Sequence, residues 1–243
     1  MKTLITLGCS LTPFHKNLPN SWANPLKDQL CPDKHVQFSF GGGGNQQLLD
    51  YLDRYMLENN LENTTIAYQI TGITRGGGIY SDSILANNNE ILHPQEKTEP
   101  GSNKGTWQEY DCYFGSKKTT LWCGDFETHK KQMQIHDPDI LLTRIVSTLS
   151  MLSLAGANVF AFRGWAGALA DDQERWFPGA SAKIAHQRWA KCKKAFDRHG
   201  VDYIDECLVE WCKEMDLEFV DDWHPTGESS YMFADKFIVP RFT

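Results

Sequence analysis

No stretch of this 243-residue chain approaches the ~20 consecutive apolar residues that a membrane-spanning helix needs. The apolar run at residues 3–7 follows Lys2, but it is too short for a secretory leader and runs straight into Gly8-Cys9-Ser10, a poor lipidation site. It reads instead as a first core strand, so the sequence carries no sign of export. Positive charge is scarce as well. There are 24 Lys and Arg against 31 Asp and Glu, a net charge of −7, and the sequence pI is about 5.6. That balance argues against a nucleic-acid binder, which presents a basic face. The local basic cluster, Lys191, Lys193 and Lys194, falls on an expected helix and reads as a solvated face. The seven cysteines form no CxxC pair and no metal-like spacing with histidine, so no metal site is expected. Their odd number and scatter fit reduced thiols; Cys112 and Cys123, in one loop-rich stretch, are the pair open to being joined.

What is present is enough apolar and aromatic residue, 41% and 12%, for a sizeable core, and an alternating order of elements. Residues 3–8, 36–40 and 65–70 read as strands. Helices are expected over 21–31, with Ser21 as a cap, and from Asn45, with Leu48, Leu49, Leu52, Tyr55 and Met56 at helical spacing. The pattern dissolves between about 76 and 136, then resumes with a helix over 138–155 whose apolar positions are Ile140, Leu141, Ile145, Leu149, Leu152 and Leu154. A strand at 159–162, an irregular stretch at 164–180, a helix over 182–198, a strand at 201–204, and helices at 206–215 and 226–238 complete the reading. Alternation of this kind implies α/β architecture, with a parallel sheet and right-handed crossovers. No linker divides the chain, so residues 1–243 read as one domain with two loop-rich insertions.

Two short segments carry chemistry. Gly8-Cys9-Ser10-Leu11-Thr12 puts a serine on the turn leaving the first strand, and Asp221-Asp222-Trp223-His224-Pro225 puts carboxylates close to an imidazole near the other end. A serine needs an adjacent base to attack a carbonyl, and the base needs an orienting acid. Ser10, His224 and Asp221 or Asp222 fill those roles if the fold joins the two ends. Cys9 reads as a small buried neighbour, since no helix or cation is evident to lower its pKa. The run Gly41-Gly42-Gly43-Gly44 lacks the spacing of a dinucleotide site or P-loop. It suits either a tight turn or a backbone N–H aimed at a reacting oxygen. Arg75 suits either an anion clamp at the carboxyl edge of the sheet or a structural ion pair.

These residues together resemble the SGNH (GDSL-type) hydrolase superfamily, and among its members the SGNH-like proteins of phages and marine bacteria. The resemblance implies a flavodoxin-like three-layer α/β/α sandwich with a central parallel sheet of about five strands. It matches Ser10 to the nucleophile, Asp221 and His224 to the DxxH pair, and Gly42 to the oxyanion glycine. Trp22 corresponds to a tryptophan of the first helix in many members. Two departures stand out: Cys9 replaces the motif Asp, and no Asn follows the third strand. Thr71 or Thr74 is then the replacement oxyanion donor, with Arg75 as a charged one, beside the backbone of Ser10 and Gly42; Arg75, Trp165 and Trp223 would line the substrate site.

The implied activity is serine-dependent ester hydrolysis, removing an O-acyl group from a carbohydrate, with no metal or organic cofactor. Its substrate would be a small molecule or glycan ester, with no nucleic-acid or membrane partner. The expected location is cytoplasmic or virion-associated. The alternative is a non-catalytic glycan-binding or phage structural module on the same fold.

Overall fold

The computed structural model describes residues 1–9, 11–12, 21–39, 44–73, 75–79, 95–96, 108–114, 117–125, 138–170, 180–220 and 224–242. A central sheet is built from β1 (Thr3–Gly8), β2 (Lys34–Ser39), β3 (Thr64–Ile70), β8 (Asn158–Arg163) and β9 (Asp202–Cys207). Its order is β2-β1-β3-β8-β9, with every pairing parallel. Parallel strands need crossovers, and helices supply them: α1 (Ala23–Leu30), α2 (Asn45–Glu58), α3 (Pro138–Leu154) and α4 (Ala180–His199). After β9 come α5 (Leu208–Glu214) and α6 (Gly227–Phe237).

Alternation along each strand divides the core in two. Ile5, Leu7, Ile66, Tyr68, Ile70, Val159 and Ala161 pack with α2, α3 and α4 on one face. Leu4, Ala67, Phe160, Phe162 and Ile204 pack with α1, α5 and α6 on the other. A sheet buried on both faces explains why its strands read as near-continuous apolar runs. Helix α3 ends where Gly156 takes φ +94. There the Ala157 N–H reaches back to the Leu152 carbonyl at 3.1 Å, closing the last turn.

Three expectations need correction. The stretch from 76 onward is not wholly irregular. β4 (Arg75–Ile79), β5 (Gln95–Glu96), β6 (Gln108–Phe114) and β7 (Lys117–Asp125) form a second, antiparallel sheet in the order β4-β7-β6-β5. Its backbone register sets Cys112 opposite Thr119 and Cys123 opposite Gln108, so the two cysteines stand on different rungs. On α3, Ile140 and Leu154 are solvent-exposed, whereas Leu142, outside the expected stripe, is buried. The segment 166–169, expected as irregular, is a 3₁₀ turn, Ala166–Leu169. Among the described residues, no helix is long and apolar enough to cross a membrane.

Charged groups are placed with economy. Arg144 on α3 bridges Asp50, at 2.9 Å, and Asp53, tying α3 to α2. On β2, His35 Nε2 pairs with Thr6 Oγ1 at 3.0 Å. Burial, helped by the charge of Lys27, pushes the His35 pKa down from 6.5 to about 4. The unfolded chain therefore takes up a proton as pH falls through about 6.5, while the fold resists until about pH 4. Stability contributed by the neutral ring is complete above pH 6.5, declines across the window from 6.5 to 4, and changes little below it. The loss amounts to about 3 kcal/mol. Urea midpoints of wild type and His35→Gln should diverge in pH dependence over this window, the variant being flatter; parallel curves would refute the assignment.

Candidate active site

The turn after β1 is held from below by one side chain. Gln69, the last polar residue of β3, directs its Oε1 at the Cys9 N–H (3.2 Å), the Thr12 hydroxyl (3.1 Å) and the Cys9 thiol (3.7 Å). Thr12 in turn accepts from the indole N–H of Trp22 at 2.8 Å, and its own N–H donates to the Cys9 carbonyl at 2.8 Å. All four side chains are buried. Gly8 sits so close to this network that a Cβ there would stand 2.0 Å from Thr12 Oγ1 and 2.5 Å from Gln69 Oε1. The glycine before the serine is thus required by close packing.

The end of β3 is fixed from the opposite side. Asn45, the first residue of α2, donates through Nδ2 to the Thr71 carbonyl (2.8 Å) and accepts the Thr71 N–H through Oδ1 (3.0 Å). The Tyr68 hydroxyl lies 3.3 Å from the same Oδ1. The backbone donor of Thr71 is therefore engaged, and what remains is its hydroxyl. That oxygen is fully buried and has no hydrogen-bond partner among the described residues. At the end of β8, the Gly164 N–H donates to the Ile70 carbonyl at 3.0 Å, which seals β3 against β8.

His224 lies where residues 224–226 pair antiparallel with residues 218–220. The Val220 N–H donates to the His224 carbonyl (2.8 Å), the Thr226 N–H to the Glu218 carbonyl (3.0 Å), and Phe219 bridges Pro225. Thr226 then caps α6, its hydroxyl accepting the Ser229 N–H at 3.2 Å. Helix α6 reaches the N-terminal turn through aromatic rings. Trp22 meets Phe162 edge-on at 4.9 Å between centroids, and Phe162 meets Phe233 of α6 at 5.8 Å. Cys9, Leu11, Trp22, Phe233 and Ile238 belong to one core cluster. The two ends of the chain are thus joined on one face of the sheet.

Other reactive groups nearby are quiet. Burial pushes the thiols of Cys192, Cys207 and Cys212 up to about 12, far from a thiolate at neutral pH. The Cys9 thiol is fully buried. Arg163, at the end of β8, is 4% exposed, lies 5.0 Å from the Trp189 ring and donates to the Asp205 carbonyl at 2.9 Å. Among the described residues, no group of three His, Cys, Asp or Glu is placed to hold a metal ion.

Of the residues singled out in the sequence, Ser10, Gly42, Thr74, Asp221 and Trp223 lie outside the described residues. Thr71 stands at the carboxyl end of β3 as expected, with only its hydroxyl uncommitted. Arg75 begins β4, opposite Asp125 of β7, and so belongs to the second sheet. Trp165 is only 4% exposed and sits in the α1/α6 core. Gln69 and Asn45 were missed. A glutamine within an otherwise apolar strand was the available signal for the first; nothing local distinguishes the second from an ordinary helix-opening residue.

No protein-family model matches the chain, and no curated protein matches it. Among solved structures, it is similar to a member of the lipolytic protein G-D-S-L family from Veillonella parvula. The TM-score is 0.50 at 10% identity, and the match covers 98% of each chain. It is also similar to the YXIM protein of Bacillus subtilis, with a TM-score of 0.52 at 11% identity, covering 96% of this chain. The chain spans about half of that protein's length, 54%. Likeness at such low identity speaks of architecture alone. The five-stranded parallel sheet with helices around it is the α/β fold of the SGNH hydrolases.

Proposed function

We propose that the chain is a serine ester hydrolase. The observation that carries this reading is the shared core of the segments around Ser10 and His224, reached through Trp22, Phe162 and Phe233. Ser10 follows β1 and Thr71 follows β3, adjacent strands on either side of the point where chain order reverses. Open α/β sheets bind ligands at that point.

In this reading Ser10 Oγ attacks the acyl carbon while His224 takes its proton. Asp221 orients the imidazole and stabilises its cation. The backbone N–H groups of Ser10 and Gly42, with the Thr71 hydroxyl, hold the oxyanion. Collapse expels the alcohol, which receives the proton from His224. Water then cleaves the acyl-serine by the same steps in reverse. The aromatic and polar content of residues 76–136 and 164–180, together with Arg75 and Trp223, favours a polar, O-acylated carbohydrate over a long-chain lipid ester.

One observation favours a second reading, a non-catalytic binding or particle-assembly module. No asparagine follows β3, and the Thr71 amide is already committed to Asn45, so the oxyanion site is short of a donor. Loss of one such donor typically costs ~10²–10³ in rate. A fluorophosphonate probe separates the two. The hydrolase reading expects stoichiometric labelling of wild type that disappears in Ser10→Ala. An inert wild type, or equal labelling of both proteins, supports the binding module.

A further inference from the structure

We infer that Gln69 is a positioning residue for the nucleophile, setting the conformation of the turn that carries Ser10. This inference rests on the hydrolase reading. Its ground is the set of bonds around one oxygen. Gln69 Oε1 accepts from the backbone N–H of Cys9, the residue before Ser10, and from the hydroxyl of Thr12, two residues after it. The orientation of the carboxamide is dictated by the partners, because a backbone N–H can only donate and must face the oxygen. Thr12 is locked further by the Trp22 indole, and Gly8 leaves the room that the glutamine fills.

The price of this arrangement is visible. With Oε1 committed to the turn, Gln69 Nε2 is buried without a hydrogen-bond partner among the described residues. It is packed 3.3 Å from where a Cβ of Gly164 would stand. A buried orphan donor is unfavourable. A residue selected only for packing at this place in a parallel strand would be apolar, as its neighbours Tyr68 and Ile70 largely are. The glutamine supplies what an apolar side chain cannot: a fixed acceptor for the residues that flank Ser10, Cys9 and Thr12. A serine that drifts by about 1 Å loses roughly 10²-fold in rate.

The role separates from a purely structural one by a split between kcat and KM and by rescue. Gln69→Met keeps the length and removes the acceptor. It is expected to lower kcat for p-nitrophenyl acetate, and the rate of fluorophosphonate labelling, by about 10- to 100-fold, with KM changed less than about twofold. Gln69→Glu restores an oxygen at the same place and should recover most of that loss. Amide hydrogen exchange at Cys9, measured in the same proteins, should be fast in Gln69→Met and slow in wild type and Gln69→Glu. Should Gln69→Met fail to fold, Thr12→Val, which removes one donor to Oε1, should show a smaller loss in kcat with KM again unchanged. Wild-type labelling and turnover in a folded Gln69→Met would overturn the inference while leaving the hydrolase intact. A wild type that neither labels nor turns over would overturn both, and is recognised without any variant.

Discussion

Alanine at Ser10 is expected to lower kcat/KM for a short-chain ester such as p-nitrophenyl acetate by about 10⁴- to 10⁶-fold. His224→Ala should cost a similar factor, and the double variant little more. The three groups of a triad work as a unit: without the hydroxyl there is nothing for the imidazole to activate, and without the imidazole the hydroxyl is a poor nucleophile. Near-additive losses would therefore contradict the assignment as firmly as no loss at all. Cys9→Ala is the informative companion. Its thiol is buried, and the bond that anchors the turn comes from its backbone N–H, which alanine keeps. Activity in that variant should stay close to wild type, whereas a loss as deep as that of Ser10→Ala would move the nucleophile to the neighbouring thiol.

Gly8→Ala is expected to destabilise the protein by roughly 3–5 kcal/mol, the sum of overpacking and of the hydrogen bonds that must break. The new methyl would lie 2.0 Å from Thr12 Oγ1 and 2.5 Å from Gln69 Oε1, and neither neighbour can yield freely. Turning Thr12 away breaks its bonds to Gln69 and Trp22. Moving Gln69 strips the Cys9 N–H of its acceptor. For a chain of this size such a cost lowers the melting temperature by about 10 °C or more. Thermal and urea unfolding of the single variant decide it, and a melting temperature within a degree or two of wild type would mean that the turn is far softer than its hydrogen bonds imply.

The parallel sheet was legible because β1, β3 and β8 are buried on both faces and so carry near-continuous apolar runs bounded by glycine or polar residues. Helix α2 was legible from Leu48, Leu49, Leu52 and Tyr55, all of which are buried. The second sheet escaped notice because its strands lack a clear signal: β4 is three glycines between Arg75 and Ile79, β5 is only two residues, and β7 opens on two lysines. Ile140 and Leu154 misled for a different reason. An apolar residue on a helix is not thereby buried, and a helix rich in them leaves the boundary of its buried stripe ambiguous. At the site, the Ser10 and Asp221–His224 segments could be found because the chemistry demands particular residue types in a particular order. Gln69 and Asn45 could not, because their roles are relations between strand ends that only the folded chain brings within hydrogen-bonding distance, 3.2 and 2.8 Å.

The ring-to-ring path from Trp22 through Phe162 to Phe233 has a consequence for biogenesis. The core face that holds Leu4 and Cys9 is completed by Phe233, Ala234 and Ile238. During synthesis the ribosome therefore releases a nascent chain whose first strand has an unfinished apolar face until α6 emerges. Folding of that half waits on α6, with long-range contacts that slow it and leave sticky surface exposed meanwhile. Ribosome-stalled chains ending before α6 should accordingly bind chaperones and yield to protease, and should become resistant once that helix clears the exit tunnel.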